Sequence, residues 1–246
     1  MSNTKHSTLS IVATPIGNLG DFSPRAKETL LRADVIVAED TRTLRSLFPD
    51  EQVSALLIRS DNFTESKASD KVIDALKEGK HVALVTDAGT PGISDPGYIL
   101  VKAVREALPN EIDNGDVIIE AIPGPSALAT AISISGIPST PFTFFGFSPM
   151  KKGRQTFFDT IANLDHTAIF YESPHRFMKT LSELQSAFET LPKSDATQAE
   201  RKVFVGRELT KHFEEGKYGT IADIVSHYSQ NEDKVRGEFV VIVEGK

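Results

Sequence analysis

The sequence predicts an α/β fold divided into two α/β domains. Short apolar runs alternate with helix-patterned stretches through the first half, the order that builds a largely parallel sheet. A passage rich in Pro, Gly and Ser interrupts the chain between residues 123 and 141. The strand pattern then restarts at Phe142. These three observations place an N-terminal α/β domain with a mainly parallel sheet at 1–122. A linker helix with a Pro-rich connection follows at 123–141, and a C-terminal α/β domain with a mixed sheet at 142–246.

The first domain opens with an apolar run at 9–13. Ser23 and Pro24 then start a helix, serine as N-cap and proline at the first helical position. Strands are expected at 35–38 and 56–60. Residues 66–78 form an amphipathic helix with Val72, Ala75 and Leu76 on one face, and Gly79 stands where a glycine ends a helix. Strands at 81–86 and 117–121 flank a helix at 96–107. After Pro123-Gly124-Pro125-Ser126 an Ala/Ser-rich helix ends near Gly136. In the second domain, strands are expected at 142–146, 168–172, 202–207 and 238–244. Ser173-Pro174 repeats the Ser-Pro helix start, and Thr220 with Asp223 has the spacing of a capping box. Residues 110–116 read as a loop, and 191–201 as a polar surface loop.

Composition narrows the function. With 246 residues, 39% hydrophobic and 25% charged, the chain can bury real cores. No apolar run approaches the roughly 18 residues of a membrane span, and residues 1–8 lack the apolar stretch of a signal peptide. The absence of cysteine removes disulfides, thiolate metal sites and cysteine nucleophiles, and fits a cytoplasmic protein. Asn62-Phe63-Thr64 matches a glycosylation triplet, which carries no meaning in that compartment. A net charge of −7 means that any nucleic acid must be met by local basic patches.

The familiar nucleotide and hydrolase motifs are absent: no Gly-x-Gly-x-x-Gly, no Walker A, no His-Glu-x-x-His, no Gly-x-Ser-x-Gly. Three Gly/Pro-rich turns stand instead at the carboxyl ends of expected strands, at 13–21, 87–97 and 122–127. In open α/β sheets ligands bind at that edge. Glycine and proline also make ordinary turns, but three such loops on one edge point to a binding site. Asp87 either contacts a ligand or holds its loop through an Asx turn. Ser94 and Asp95 either contact a ligand or cap the next helix, whose N-terminus attracts anionic groups.

In the second domain Glu172, His175 and Arg176 follow one strand, and Arg207, Glu208 and Lys211 follow another. Glu172 or His175 can take a proton, imidazole titrating near neutrality, and Arg176 can hold a phosphate. Arg207 and Glu208 read equally well as an ion pair. Glu39-Asp40-Thr41-Arg42 ends a strand with two adjacent carboxylates. Without further ligands nearby no metal is expected, and Thr41 and Arg42 face substrate or support the loop. The basic candidates for an RNA footprint are Arg42, Lys151, Lys152, Arg154 and Arg207, with Arg45, Arg59, Arg176, Lys179, Lys211 and His212 as further cations. The Lys151-Lys152-Gly153-Arg154 turn is the densest cluster.

Taken in order, several segments resemble one family: Pro15-Ile16-Gly17-Asn18-Leu19, Ala38-Glu39-Asp40-Thr41-Arg42, the loop from Asp87 to Gly97, Pro123-Gly124-Pro125-Ser126-Ala127, Ser135-Gly136, Gly146-Phe147, Phe170-Tyr171-Glu172-Ser173-Pro174-His175-Arg176, Arg207-Glu208-Leu209-Thr210-Lys211 and Gly237-Glu238. The chain resembles the tetrapyrrole (corrin/porphyrin) methylase superfamily, in its branch that methylates small-subunit ribosomal RNA, from about Leu9 to Val243. The resemblance implies a tetrapyrrole methylase-like fold with S-adenosylmethionine in a cleft between two α/β domains, and a homodimer. It implies 2′-O-methylation of the ribose of a decoding-centre cytidine (cytidine 1402) in 16S rRNA of the small ribosomal subunit. Asp61 departs from the family, standing where His is common.

The cofactor-binding candidates are then Pro15, Gly17, Asp87, Gly89, Thr90, Ile93, Ser94, Asp95, Pro125, Ser126, Ala127 and Tyr171. The catalytic candidates are Glu172, His175, Arg176, Glu208 and Lys211. Two other readings stay open, a methyltransferase acting on a tetrapyrrole and a non-catalytic sensor that binds S-adenosylmethionine.

Overall fold

The computed structural model describes residues 6–60, 65–190 and 201–246. Asp61, the Asn62-Phe63-Thr64 triplet and residues 191–200 of the expected second loop lie outside the described residues. The chain divides into two compact units, Met1–Ser126 and Ala127–Lys246.

The first unit is a five-stranded parallel sheet. Its strands are β1 (Ser7–Val12), β2 (Val35–Ala38), β3 (Leu56–Arg59), β4 (His81–Leu84) and β5 (Val117–Ile122), in the order β3-β2-β4-β1-β5. Alternate residues point to opposite faces, and both faces are apolar, as a parallel sheet requires. On one face Val12, Ile36, Ala38 and Ala83 pack with Ala26 and Leu30 of α1 (Pro24–Arg32) and Leu44 of α2 (Thr41–Ser46). On the other, Leu9, Val35, Val37, Val82 and Leu84 pack with Val72 and Leu76 of α3 (Glu65–Lys77) and Leu100 and Val104 of α4 (Gly97–Ala107).

The ends of these helices follow from local chemistry. Ser23 caps α1, its hydroxyl accepting from the Ala26 N–H at 3.1 Å. Gly79, with φ of 77°, ends α3. Its N–H bonds to the Leu76 carbonyl at 3.0 Å and that of Lys80 to Ala75 at 3.1 Å, the paired bonds of a Schellman ending.

The strand order places a reversal between β1 and β4. The connection leaving β1 passes through α1 on one face towards β2, and the one leaving β4 passes through α4 on the other towards β5. Adjacent strands whose connections part to opposite faces open a crevice at their carboxyl ends.

The second unit is a mixed sheet in the order β6-β7-β10-β8-β9. Its strands are β6 (Phe142–Phe147), β7 (Thr167–Glu172), β8 (Lys202–Arg207), β9 (Glu215–Thr220) and β10 (Phe239–Val243). β6 and β7 are parallel, and the β7–β10, β10–β8 and β8–β9 pairs are antiparallel. The carboxyl ends of β6, β7 and β8 therefore share an edge with the starts of β9 and β10. One face is covered by α7 (Arg154–Asn163), α8 (Phe177–Glu189) and α9 (Ile221–Gln230), whose Phe158, Phe177, Leu181, Leu184, Ile224 and Tyr228 form the core with Phe170, Val205, Phe239 and Val241. The helix expected in the linker, α6 (Ala127–Ser135), packs against β10, β8 and β9 of this unit.

Several local expectations are corrected. Ser173-Pro174 does not start a helix. The chain turns there, with Arg176 N–H bonded to the Ser173 carbonyl at 3.1 Å, and α8 begins at Phe177. Residues expected in the loop at 110–116 include the short helix α5 (Pro109–Asp113). Arg201, expected in a surface loop, is buried. Its guanidinium donates to the carbonyls of Glu244 (2.8 Å) and Ala162 (2.7 Å) and lies 4.7 Å from the Phe188 ring centroid. Burial lowers its pKa to about 10, against the pull of Glu244. β9 is an unexpected strand.

Candidate active site

The three Gly/Pro-rich loops of the first unit are tied together. Thr14, following β1, and Gly89, following β4, form an antiparallel bridge, N–H to carbonyl in both directions at 2.9 and 3.1 Å. That bridge sits at the reversal in strand order. Thr90 reaches the third loop, its hydroxyl donating to the Pro125 carbonyl at 3.0 Å. Gly89 has φ of 85°, and a Cβ there would stand 3.2 Å from the Ile16 side chain. At Gly124 a Cβ would come within 2.9 Å of the Ala13 Cβ. Glycine at these two positions lets the loops approach closely: an added Cβ at Gly124 would clash with Ala13, and one at Gly89 would press on Ile16 from a left-handed backbone.

The Asp87–Gly97 loop is braced from inside. Asp95 accepts from the N–H groups of Gly92 (2.9 Å), Ile93 (3.2 Å) and Gly97 (2.8 Å). It is the loop's internal anchor, and Pro96 rather than Asp95 occupies the N-cap of α4. Asp87 makes no Asx turn within its own loop. One of its oxygens accepts from the Asp40 N–H at 3.1 Å, joining the carboxyl ends of β4 and β2. Gly17, Gly92 and Ser94 are exposed, Thr90 and Ile93 half-buried, and Pro15 buried. Ser94 holds φ of 65°, a left-handed conformation uncommon outside glycine. Pro125 and Ser126 close the unit, half-buried, while Ala127 and Tyr171 belong to the second unit.

Arg42 stands at the same carboxyl edge. Its guanidinium pairs with the Asp40 carboxylate, Nη2 to Oδ2 at 2.6 Å, yet the side chain stays 87% exposed. Side-chain and backbone hydrogen bonds from Arg42 hold the Asp40 pKa down to about 2. Among the described residues no group of three or more His, Asp or Glu side chains could hold a metal ion.

In the second unit the structure separates residues that the sequence placed together. Glu172 is buried, its side chain 0% exposed. It accepts from the hydroxyls of Ser148 and Thr180 and the N–H of Ser173, and it pairs with Arg176 at 2.8 Å. Arg154, expected to face RNA, is drawn into the same network. It contacts Glu183 (2.6 Å), the Ser148 hydroxyl (2.9 Å), the Thr180 hydroxyl (2.5 Å) and the Pro149 carbonyl (2.8 Å). Arg207, also expected to face RNA, is buried, donating to the carbonyls of Arg236 (3.0 Å) and Phe213 (3.1 Å). Arg154 and Arg207 are loop anchors because each donates from a buried position to loop backbone carbonyls. Lys151 and Lys152 are exposed.

Lys211 is gripped by two carboxylates, Glu208 and Glu238, each at 2.9 Å. Burial alone would lower the Lys211 pKa, but the hydrogen bonds to Glu238 and Glu208 win and raise it. Glu208 moves the other way: burial would raise it, and the bonds from Lys211 and the Glu238 N–H lower it. Both stay charged. Glu208 and Thr210 hold positive φ, 49° and 66°. Tyr171 is half-buried with its ring edge-on to Phe144 and Phe147, and burial raises its phenol pKa against a backbone hydrogen bond at Leu128. His175 is exposed.

Thr14, Ser148, Thr180 and Glu183 hold these loops without having been foreseen. Their partners lie many residues away in the chain, so no local pattern marks them.

The fold and the tied loops define a class. The tetrapyrrole (corrin/porphyrin) methylase model matches residues 8–225, and the chain belongs to that family; it is a methyltransferase. Its curated relatives carry a narrower name, ribosomal RNA small subunit methyltransferase I. The protein of that name from Xylella fastidiosa (strain Temecula1) is 42% identical over 97% of this chain and 81% of its own. That from Thermotoga maritima is 36% identical over 97% and 98%, and that from Bacillus subtilis 39% over 96% and 75%. Among solved structures, the methyltransferase CobJ superposes with a TM-score of 0.63 at 19% identity, covering 98% of this chain and 94% of that one. Cobalt precorrin-4 methyltransferase CbiF gives 0.62 at 16% identity, covering 99% and 97%. These two share the fold.

Proposed function

We propose that the chain transfers a methyl group from S-adenosylmethionine to the ribose 2′-hydroxyl of a decoding-centre cytidine in 16S rRNA. The observation that carries this reading is the near full-length identity of 36–42% to proteins named for small-subunit ribosomal RNA methylation. The tied loops of the first unit fit the cofactor. They present backbone groups, a threonine, a serine and a free Asp87 oxygen at the switch point. An amino-acid zwitterion, a ribose and an adenine edge ask for such donors and acceptors. Gly17, Gly89, Thr90, Ile93, Ser94 and Pro125 would hold it, with Asp95 keeping the loop in shape.

The cofactor supplies a methyl group activated on a sulfonium, so the protein must orient the acceptor and take up its proton. Glu172 is buried with its oxygens engaged by Arg176, Ser148, Thr180 and the Ser173 N–H, and we read it as an anchor of this loop. Lys211, held as an ammonium, has no lone pair to offer. His175 is the member of the expected catalytic set whose side chain makes no hydrogen bond or ion pair among the described residues, and we assign it the proton acceptor's role. Arg42, Lys151 and Lys152 contact RNA phosphates in this reading, and the active form is a homodimer in the cytoplasm.

Incubation with labelled S-adenosylmethionine and, in turn, deproteinised 16S rRNA, 30S particles and uroporphyrinogen tests the proposal. Label in alkali-resistant dinucleotides from the RNA is the expected result. Label confined to the tetrapyrrole, or tight cofactor binding without transfer to any acceptor, would refute it.

A further inference from the structure

The carboxyl edge of the second sheet carries two exposed phenylalanines. Phe147 ends β6 with 54% of its surface exposed, and Phe213 follows β8 at 66%. Single exposed rings are common on protein surfaces; it is their place on one edge, beside basic residues, that marks these two. The strand register puts both at one edge: Phe147 pairs with Tyr171 at the end of β7, and Glu172 and Arg207 both pair with Phe239 at the start of β10.

Basic residues lie near each ring along the chain, with the exposed Glu214 next to Phe213. Lys151 and Lys152 follow Phe147 in the turn before α7, and His212 lies edge-on to Phe213 with centroids 4.7 Å apart. Arg236 is exposed just before β10. The acids of this edge are Glu172, buried among arginines, Glu208 and Glu238, which grip Lys211, Glu214, which accepts from the Thr210 N–H at 2.5 Å, and Glu215, which opens β9 and contacts His227 and Lys234 at 2.9 Å. At the exposed rim Lys151, Lys152 and Arg236 stand against Glu214 and Glu238, so the rim departs from the acidic balance of a chain of net charge −7.

Both loops are held from beneath. Arg154 donates to the Pro149 carbonyl, Arg176 to the Ser148 carbonyl at 3.2 Å, and Arg207 to the Phe213 carbonyl at 3.1 Å. The buried Arg154 and Arg207, with the half-buried Arg176, thus fix the backbones that carry the rings, so little order remains to be created on binding. Flat aromatic faces beside cations, on braced loops, are the chemistry that receives unpaired nucleic-acid bases and the phosphates between them.

We propose that Phe147 and Phe213 are stacking platforms for unpaired bases of the RNA substrate, flanked by Lys151, Lys152, His212 and Arg236 as phosphate contacts. The proposal rests on the RNA reading of this chain and adds the surface and the mode of recognition.

The test measures binding of the full-length protein to labelled, deproteinised 16S rRNA, with calorimetric binding of S-adenosylmethionine alongside. Phe147→Ala and Phe213→Ala are each expected to weaken RNA binding roughly 5- to 100-fold, the span of base–aromatic stacking. Cofactor affinity should hold, and Phe147→Trp and Phe213→Trp should restore RNA binding because they keep a stacking face. Tyr218→Ala, which removes an exposed ring from within β9, should leave RNA affinity unchanged. A double alanine variant that binds and methylates RNA like the wild type would overturn the stacking role while leaving the RNA reading intact. Loss of binding to 30S particles but not to bare rRNA would assign the surface to a ribosomal protein and also overturn it. A wild-type protein that transfers no methyl group to any RNA would overturn the function reading itself, and this inference with it.

Discussion

At the residue scale, Glu172 and His175 sit three positions apart and have opposite surroundings. The sequence offers both as proton acceptors, because a carboxylate and an imidazole after a strand look alike without their neighbours. Burial separates them. Glu172 is enclosed by Arg176, Arg154, Ser148 and Thr180, and removing its charge leaves arginines facing a neutral amide. Glu172→Gln is therefore expected to destabilise the fold by about 3–5 kcal/mol, the cost of breaking a buried ion pair. Urea unfolding followed by circular dichroism measures it, and an unchanged midpoint would remove the anchor role. His175→Ala should do the reverse. The fold should keep its stability and its affinity for S-adenosylmethionine, while kcat on 30S particles falls roughly 10²–10⁴-fold, the usual share of a general base. A variant with wild-type kcat would return the proton acceptor to the unassigned.

At the scale of elements, legibility in the sequence depended on whether the signal was local. Ser23-Pro24 and Thr220 with Asp223 start helices as their patterns predict, because a cap bonds only a few residues away. Ser173-Pro174 has the same pattern and only turns: the Ser173 N–H bonds the Glu172 carboxylate and α8 begins at Phe177. β9 was invisible because Gly216, Lys217 and Gly219 break the apolar alternation. Those glycines answer to distant neighbours: a Cβ at Gly216 would stand 3.1 Å from the Phe204 ring, and one at Gly219 would stand 2.9 Å from the Asp223 Cβ. The glycines of the Asp87–Gly97 loop marked it in the sequence as a candidate ligand loop, but its bonds to Thr14, Asp40 and Pro125 were not legible there. Gly89→Ala tests what those bonds require. The left-handed backbone strain is worth about 1–3 kcal/mol, and the added methyl presses on Ile16. We expect a lower melting temperature and at least about tenfold weaker cofactor binding, tenfold being about 1.4 kcal/mol. Wild-type affinity in this variant would mean that the Thr14–Gly89 bridge does not shape the cofactor site.

For the whole molecule, the question is how an acidic chain engages a polyanion. Its overall field opposes RNA at long range, and that field is screened within about 8 Å at physiological ionic strength. The sequence made Arg154 and Arg207 part of the answer. The fold instead buries both to brace loops, leaving Lys151, Lys152, His212 and Arg236 at the rim. Single-stranded RNA gives a salt slope of roughly −0.7 per phosphate neutralised, so three or four contacts predict about −2 to −3 in a plot of log K against log salt. Lys151→Gln with Lys152→Gln should flatten that slope by about 1.4. Arg154→Gln should act differently, lowering stability because it strips donors from Ser148, Thr180 and the Pro149 carbonyl. Binding isotherms across a salt series, with melting curves for each variant, separate the two effects. If the lysine pair leaves the slope unchanged, charge at this rim does not guide the RNA, and the affinity must come from contacts that carry no counterion release, foremost the two exposed rings.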